Sequence, residues 1–238
     1  MLEAIDRAAV AVFALFGTRG QVIAVPVTPY SHHGKILVTA TLAYTRKAEL
    51  VRQNPTVAML AGGVHCTGRA EVFSDASGDF FVKHVLEDEI RKYPPALALT
   101  KVPFHRKVFS WYFGRAIISF EAERIEPQPK DDSVTLITSV EGRPRITPLP
   151  LDYAALVSDL EFTTDAQDGP ALLLAHRESD DMSDLRQMSI RGEVGHGVFR
   201  EASRTESLDI ADGGSEWTRR RNATKARKIM KDWPKMPA

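Results

Sequence analysis

Two stretches of this chain spell one pattern twice. AVFALFGTRGQVIAVPVTPY (Ala11–Tyr30) and VTLITSVEGRPRITPLPL (Val134–Leu151) each run from an apolar, β-branched segment through a turn at glycine into a second segment studded with prolines. The echo continues in order: ILVTATL and LEFTTDA, VAMLAGG and ALLLAHRES, HCTGRAEVF and MSIRGEVGHGVF. Self-similarity over this length implies two copies of one supersecondary unit. Short runs rich in Val, Ile and Thr, bounded by turn residues, make that unit mainly β. PQPKDDS, all prolines and polar residues, separates the copies. The expected division is a first unit over residues 1–126, a linker over 127–133, a second, degenerate unit over 134–212, and a basic tail over 213–238.

Within the first unit, MLEAIDRAAVAVFALFG carries acids in its first turn and lacks a small-residue cleavage site. It reads as a helix leading into a strand, not as a signal peptide. QVIAVPVTPY follows as a strand, SHHGK as a hairpin turn and KILVTAT as the return strand. Thr45–Gln53 reads as a short helix with Ala48, Leu50 and Val51 on one face, stopped at Asn54-Pro55 because a residue before proline avoids helical geometry. TVAMLAGG and HCTGRAEVF are the next strands. Asp75–Arg91 reads as a helix, with Phe80, Phe81, His84, Val85 and Leu86 near helical spacing and the Pro94-Pro95 pair ending it. RAIISFEAERIE closes the unit. The second copy lacks the short helix, since TTDAQDGPALLL passes from strand to strand.

Composition excludes several functions. Lysine plus arginine number 31 and aspartate plus glutamate 31, so no net field draws nucleic acid or an anionic membrane. No apolar run approaches the length of a membrane span. The one cysteine, Cys66, leaves no internal disulfide and no thiol-ligated zinc site, and fits a reducing cytoplasm. His32, His33, His65, His84, His105, His176 and His196 share no metal-ligand spacing, so no metal site is expected. There is no GxSxG elbow, GxGxxG fingerprint or P-loop, and the acid pairs Asp131-Asp132 and Asp180-Asp181 read as solvated loop residues. The tail, EWTRRRNATKARKIMKDWPKMPA, reads first as a solvated helix or frayed end and second as a basic arm closing over an anionic ligand.

One cluster is left. TRKAELVRQNPTVAML places Arg46 and Lys47 at a helix N-terminus, where they oppose the positive end of the helix dipole. Cations there make sense if an anion sits in front of them, served also by the unpaired helix N–H groups. Thr39 and Thr41, two apart in the preceding strand, present hydroxyls on one face.

The order of GQVIAVPVTPY, GKILVTAT, TRKAELVRQNPTVAML, CTGRAEVF and GRAIISFEAERIE resembles that of the pyridoxamine 5'-phosphate oxidase-like family, the FMN-binding split β-barrels. The resemblance covers residues 8–126 well and 133–200 loosely. It implies an α+β fold, mainly β: a split β-barrel followed by a degenerate barrel-like repeat, with Thr135–Val194 forming a second small antiparallel barrel. It also implies an oxidoreductase that uses FMN, or a deazaflavin coenzyme, on a small-molecule substrate. By position Arg46 and Lys47 would hold the cofactor phosphate, with the Thr45 hydroxyl beside them. Pro26, Val27 and Thr28 would run along the ring system, and Thr39, Ala40 and Thr41 would flank the ribityl chain. The family's C-terminal substrate motif of Arg and His has no counterpart in DWPKMPA, so the resemblance does not extend to vitamin B6 oxidation. The family builds its site between two barrels of a homodimer. Here the linked second copy could play the partner, giving a pseudo-dimer within the chain, or two chains could pair. The alternative on the same fold is a non-catalytic flavin- or haem-binding protein, with His65 or His105 as an axial ligand. A third reading, nucleic-acid association through the tail, runs against the charge balance.

Overall fold

The computed structural model describes residues 2–129, 133–156, 160–179, 182, 184–208 and 215–236. Asp131, Asp132, Asp180 and Asp181, part of the linker, and the start of the basic tail lie outside the described residues.

The opening segment forms helix α1 (Leu2–Arg7) and strand β1 (Ala11–Phe16), every residue of which is buried. β2 (Val22–Val27) turns back along it. The proline-rich run expected as one strand is two: β3 (Pro29–His32) follows after a single residue, Thr28, and pairs instead with β4 (Lys35–Thr41). Helix α2 (Arg46–Gln53), β5 (Thr56–Ala61) and β6 (Val64–Asp75) come next, and β7 (Arg115–Pro127) completes a seven-stranded antiparallel sheet in the order β2-β1-β5-β6-β7-β4-β3. β2 and β3 are neighbours in sequence yet occupy opposite edges of that sheet, so the sheet curls until its edges meet at Thr28. This is a split β-barrel, and both prolines of the run lie on edge strands, where no ladder bond is lost. Phe13, Leu15, Leu37, Met59 and Phe120 fill its core.

The expected helix over Asp75–Arg91 begins later and is broken. β6 continues to Asp75 because it pairs with Arg115 of β7. The Asp75 carboxylate then accepts hydrogen bonds from the backbone N–H groups of Phe80 (3.3 Å) and Phe81 (2.8 Å), starting α3 (Asp79–His84). Val85 separates it from α4 (Leu86–Lys92). Three further short helices, α5 (Ala96–Thr100), α6 (His105–Val108) and α7 (Ser110–Phe113), return the chain to β7.

The second part is a six-stranded antiparallel sheet made of β8 (Val134–Val140), β9 (Arg143–Pro148), β10 (Glu161–Thr163), β11 (Gly169–Glu178), β12 (Leu185–Gly195) and β13 (Val198–Leu208). It extends past the expected limit of Val194 by the whole of β13. Its order, β9-β8-β11-β12-β13-β10, matches β2-β1-β5-β6-β7-β4 of the first sheet position for position. The irregularities match too. β6 bulges at Thr67/Gly68 and β12 at Arg191/Gly192. At each, a phenylalanine ring of the neighbouring strand, Phe120 or Phe199, lies against the glycine. A Cβ on Gly68 would sit 2.2 Å from the Glu121 carbonyl oxygen, and one on Gly192 2.1 Å from that of Arg200. Gly68→Ala and Gly192→Ala are therefore each expected to lower unfolding free energy by about 1–3 kcal/mol, the range for forced overpacking, as read by urea denaturation.

The two sheets pack on equivalent faces. Val12, Phe16, Ala24 and Leu60, from β1, β2 and β5, form one apolar layer with Ile137, Ile146, Leu172 and Leu174, from β8, β9 and β11. The tail is neither frayed nor simply solvated. α8 (Glu216–Ile229) is capped by the Ser215 hydroxyl and buries Ala223 and Ala226, followed by Met230 and Trp233, in the first unit's core. Asn222 Nδ2 donates to the Ala43 carbonyl (3.4 Å), Arg227 Nη2 to that of Ser110 (3.2 Å), and the Ser74 N–H to that of Pro234 (2.7 Å). Among the described residues no helix is long and apolar enough to cross a membrane.

Candidate functional site

The end of β2, the end of β4 and the start of α2 converge on a cavity of about 550 Å³. Pro26, Val27 and Thr28 line it from the β2 edge, Thr39, Ala40 and Thr41 from β4, and Lys47 from α2. Seven of the nine residues placed on a cofactor by sequence thus border one space. The helical segment after α3 supplies Glu89, Phe109, Trp111 and Tyr112, and β7 supplies Arg115. Leu185, the first residue of β12, and Met182, just before that strand, also reach it, as does Arg219 from α8. A volume of this size is in the range of small-molecule sites.

Arg46 and Thr45 are not among the lining residues. Arg46 is exposed, with its Nη1 3.8 Å from Glu49 Oε2, one turn along the same helix. Thr45 is buried, and its hydroxyl donates to Glu49 Oε1 (2.8 Å) without capping α2. The two adjacent cations therefore part company. Successive helical residues point about 100° apart, so a helix that packs its Ala48–Val51 face against the barrel can turn only one of the two inward. Lys47 is that one.

Lys47 meets a buried charged network. Glu89 accepts from the Tyr112 hydroxyl (2.6 Å), from the Tyr30 hydroxyl, and from Arg115 Nη2 (3.3 Å). The Arg115 guanidinium carbon lies 4.0 Å from the Phe81 ring centre and 4.4 Å from that of Tyr112. Such stacking holds the fork in place. Burial first, and Glu89 next, push both tyrosines above their ordinary range, so they remain donors. Burial and then the Arg115 charge pull the Lys47 amine from 10.5 down to about 8, against the opposing pull of Glu89. Two cations face one carboxylate. Among the described residues, Arg115 Nε, the Thr41 hydroxyl and the Trp111 indole N–H are buried without a hydrogen-bond partner. Orphaned polar atoms gathered around one cavity are what a polar ligand would satisfy.

The proposed haem ligands stand elsewhere. His65 is 4% exposed, and its Nε2 accepts from the Ile146 N–H (3.3 Å) at the seam between the sheets. Burial pulls it below the ordinary imidazole range. The His105 ring packs on Phe113, with centres 5.1 Å apart, and is not among the lining residues. Among the described residues no three His, Cys, Asp or Glu side chains gather as a metal-ligand set.

Sequence reasoning missed Glu89, Tyr30, Tyr112, Trp111, Arg115 and Arg219. Arg115 had one visible signal, a cation opening the long apolar run AIISF. Arg219 belongs to the basic tail, whose second reading placed it over an anionic ligand. The others come together only through the fold.

The architecture is that of an α+β split barrel with a second sheet of matching strand order. Among solved structures the chain is similar to a conserved hypothetical protein from Mycobacterium tuberculosis, at 17% identity over 54% of this chain and 82% of that one (TM-score 0.42). It is also similar to a Listeria innocua protein assigned as a pyridoxamine 5'-phosphate oxidase, at 16% identity over 53% and 93% (TM-score 0.39). A third is an F420 reductase, at 17% identity over 53% and 95% (TM-score 0.38). No protein-family model matches the chain. No curated protein matches it either.

Proposed function

We propose that this chain is an oxidoreductase that binds FMN or a deazaflavin coenzyme and acts on a small molecule. One observation supports the reading above others: the strand segments 26–28 and 39–41 and the Lys47 amine border a single cavity whose charged lining residues, Lys47, Arg115 and Arg219 against Glu89 and Glu216, leave a positive balance. When bound, a flavin or deazaflavin supplies hydride transfer. The protein's part is to bind, orient and keep water out. The two strand segments offer backbone groups and the Thr39 and Thr41 side chains along the cavity, and Phe109, Trp111 and Tyr112 form an aromatic wall. Leu185 of β12 and Met182 before it add apolar cover.

On this reading the second sheet is a duplicated unit standing where a partner subunit would, a pseudo-dimer with one cofactor site per chain. The matching strand order, the paired glycine bulges and the packing of equivalent faces all support it. A cytoplasmic setting suits the lone Cys66, which is fully buried with its thiol pushed up to about 12 and hence inert. Protein purified from cells that make both coenzymes, then heated, should release a chromophore with the absorbance and mass of FMN or of a deazaflavin. Release of haem instead would overturn the reading.

A further inference from the structure

We propose that Arg115, together with Lys47 and the Thr41 hydroxyl, forms the subsite that holds the coenzyme phosphate, in place of the outward-facing Arg46, and that Glu89 positions Arg115 for it. This assignment rests on the coenzyme reading above and specifies which groups grip the anionic end. Thr41 and Arg115 are direct cross-strand partners on β4 and β7, so their side chains share a neighbourhood fixed by sheet register. Lys47 enters from α2, close enough to feel the charges of both Arg115 and Glu89. Arg115 is 3% exposed, borders the cavity and leaves Nε without a partner among the described residues, as Thr41 leaves its hydroxyl. A structural ion pair would need only one cation for Glu89, whose two oxygens already accept from two tyrosines. Two cations around that carboxylate leave one positive charge in excess, a costly state in a buried site unless an anion completes it. The donors come from three elements and differ in kind: a guanidinium fork, an ammonium and a hydroxyl. A phosphate, with several acceptor oxygens, can engage all three. Glu89 holds the guanidinium between the Phe81 and Tyr112 rings, so its fork is pre-oriented before any ligand arrives.

The test compares FMN, riboflavin and inorganic phosphate, each titrated onto the full chain as wild type, Thr41→Val and the double variant Arg115→Met/Glu89→Gln. The double variant removes both charges of the pair, avoiding an isolated buried one, and keeps an acceptor for the tyrosines. The Thr41→Val variant removes one hydroxyl from a strand that tolerates valine, and keeps the test alive should the double variant not fold. Wild type should prefer FMN to riboflavin by about a hundredfold or more, the scale of two charge-assisted contacts. The double variant should shrink that preference by about tenfold or more with riboflavin affinity moving less than about threefold, and Thr41→Val should shrink it several-fold. Parallel loss of FMN and riboflavin, or an unchanged preference, overturns the subsite while leaving the coenzyme reading in place. If wild type takes up neither flavin yet binds phosphate, and the double variant does not, the subsite stands and the flavin reading falls.

Discussion

Lys47→Met is expected to weaken FMN or deazaflavin binding by about 1.5–3 kcal/mol, roughly ten- to a hundredfold, while Arg46→Ala changes it by less than about threefold. The asymmetry follows from helix geometry. Lys47 borders the cavity, whereas Arg46 is exposed and tied to Glu49. An exposed pair of that kind is worth little to stability or binding. The pH dependence gives the prediction a second edge. The free amine titrates near 8 because burial and Arg115 disfavour its charge. An anion placed beside it favours the charge and raises that value, so binding above pH 8 is accompanied by proton uptake. Affinity should be level between about pH 7 and 8, where the phosphate is doubly charged, and fall as pH rises through and beyond 8. In Lys47→Met this fall should vanish. Isothermal titration at several pH values, in buffers of different ionisation enthalpy, measures both effects.

Glu89→Ala should have the larger effect on the fold, a loss of about 3–5 kcal/mol, because it leaves the Arg115 charge buried without its counter-ion. Arg115 and Glu89 are 3% and 7% exposed, so solvent offers little compensation. The Tyr112 and Tyr30 hydroxyls would lose their acceptor as well. A loss of this size is a large share of the stability of an ordinary domain. Urea unfolding, with far-UV circular dichroism as probe, should show a lower midpoint at an unchanged slope. Glu89→Gln should recover only the smaller part of the loss, since it still accepts from the tyrosines but leaves the Arg115 charge unpaired. An equal loss in Gln and Ala would assign the effect to lost carboxylate charge alone.

The strands of this protein are legible because β-branched runs bounded by glycine turns announce them, and α2 because Asn54-Pro55 marks its end. The strand order could be anticipated only through resemblance, since pairing partners such as Thr41 and Arg115 lie far apart in the chain. Asp75 shows where local pattern loses to tertiary pairing: it sits in a helix-like run, but β7 draws it into β6 and its carboxylate caps α3 from outside. For the candidate site, Pro26–Thr28 and Thr39–Thr41, named through the family resemblance, border the cavity, whereas the Glu89–Arg115 network beside them was not legible. Glu89 looked like one acid among several on a helix, and nothing local distinguishes it from Glu87 or Asp88. It stands out only because the fold brings its carboxylate against Tyr30, Tyr112 and Arg115. The Arg46–Lys47 pair reads as one cluster in sequence, but a helix sends adjacent residues to different sides, and of the two only Lys47 borders the cavity.

Equilibrium titration of the chromophore-free chain with FMN and, separately, with a deazaflavin coenzyme tests the central claim most directly. The account predicts saturable binding of at least one of them below about 10 µM, with riboflavin markedly weaker than FMN if FMN is the ligand. Neither coenzyme binding at that level, with the chain folded by circular dichroism, would contradict it.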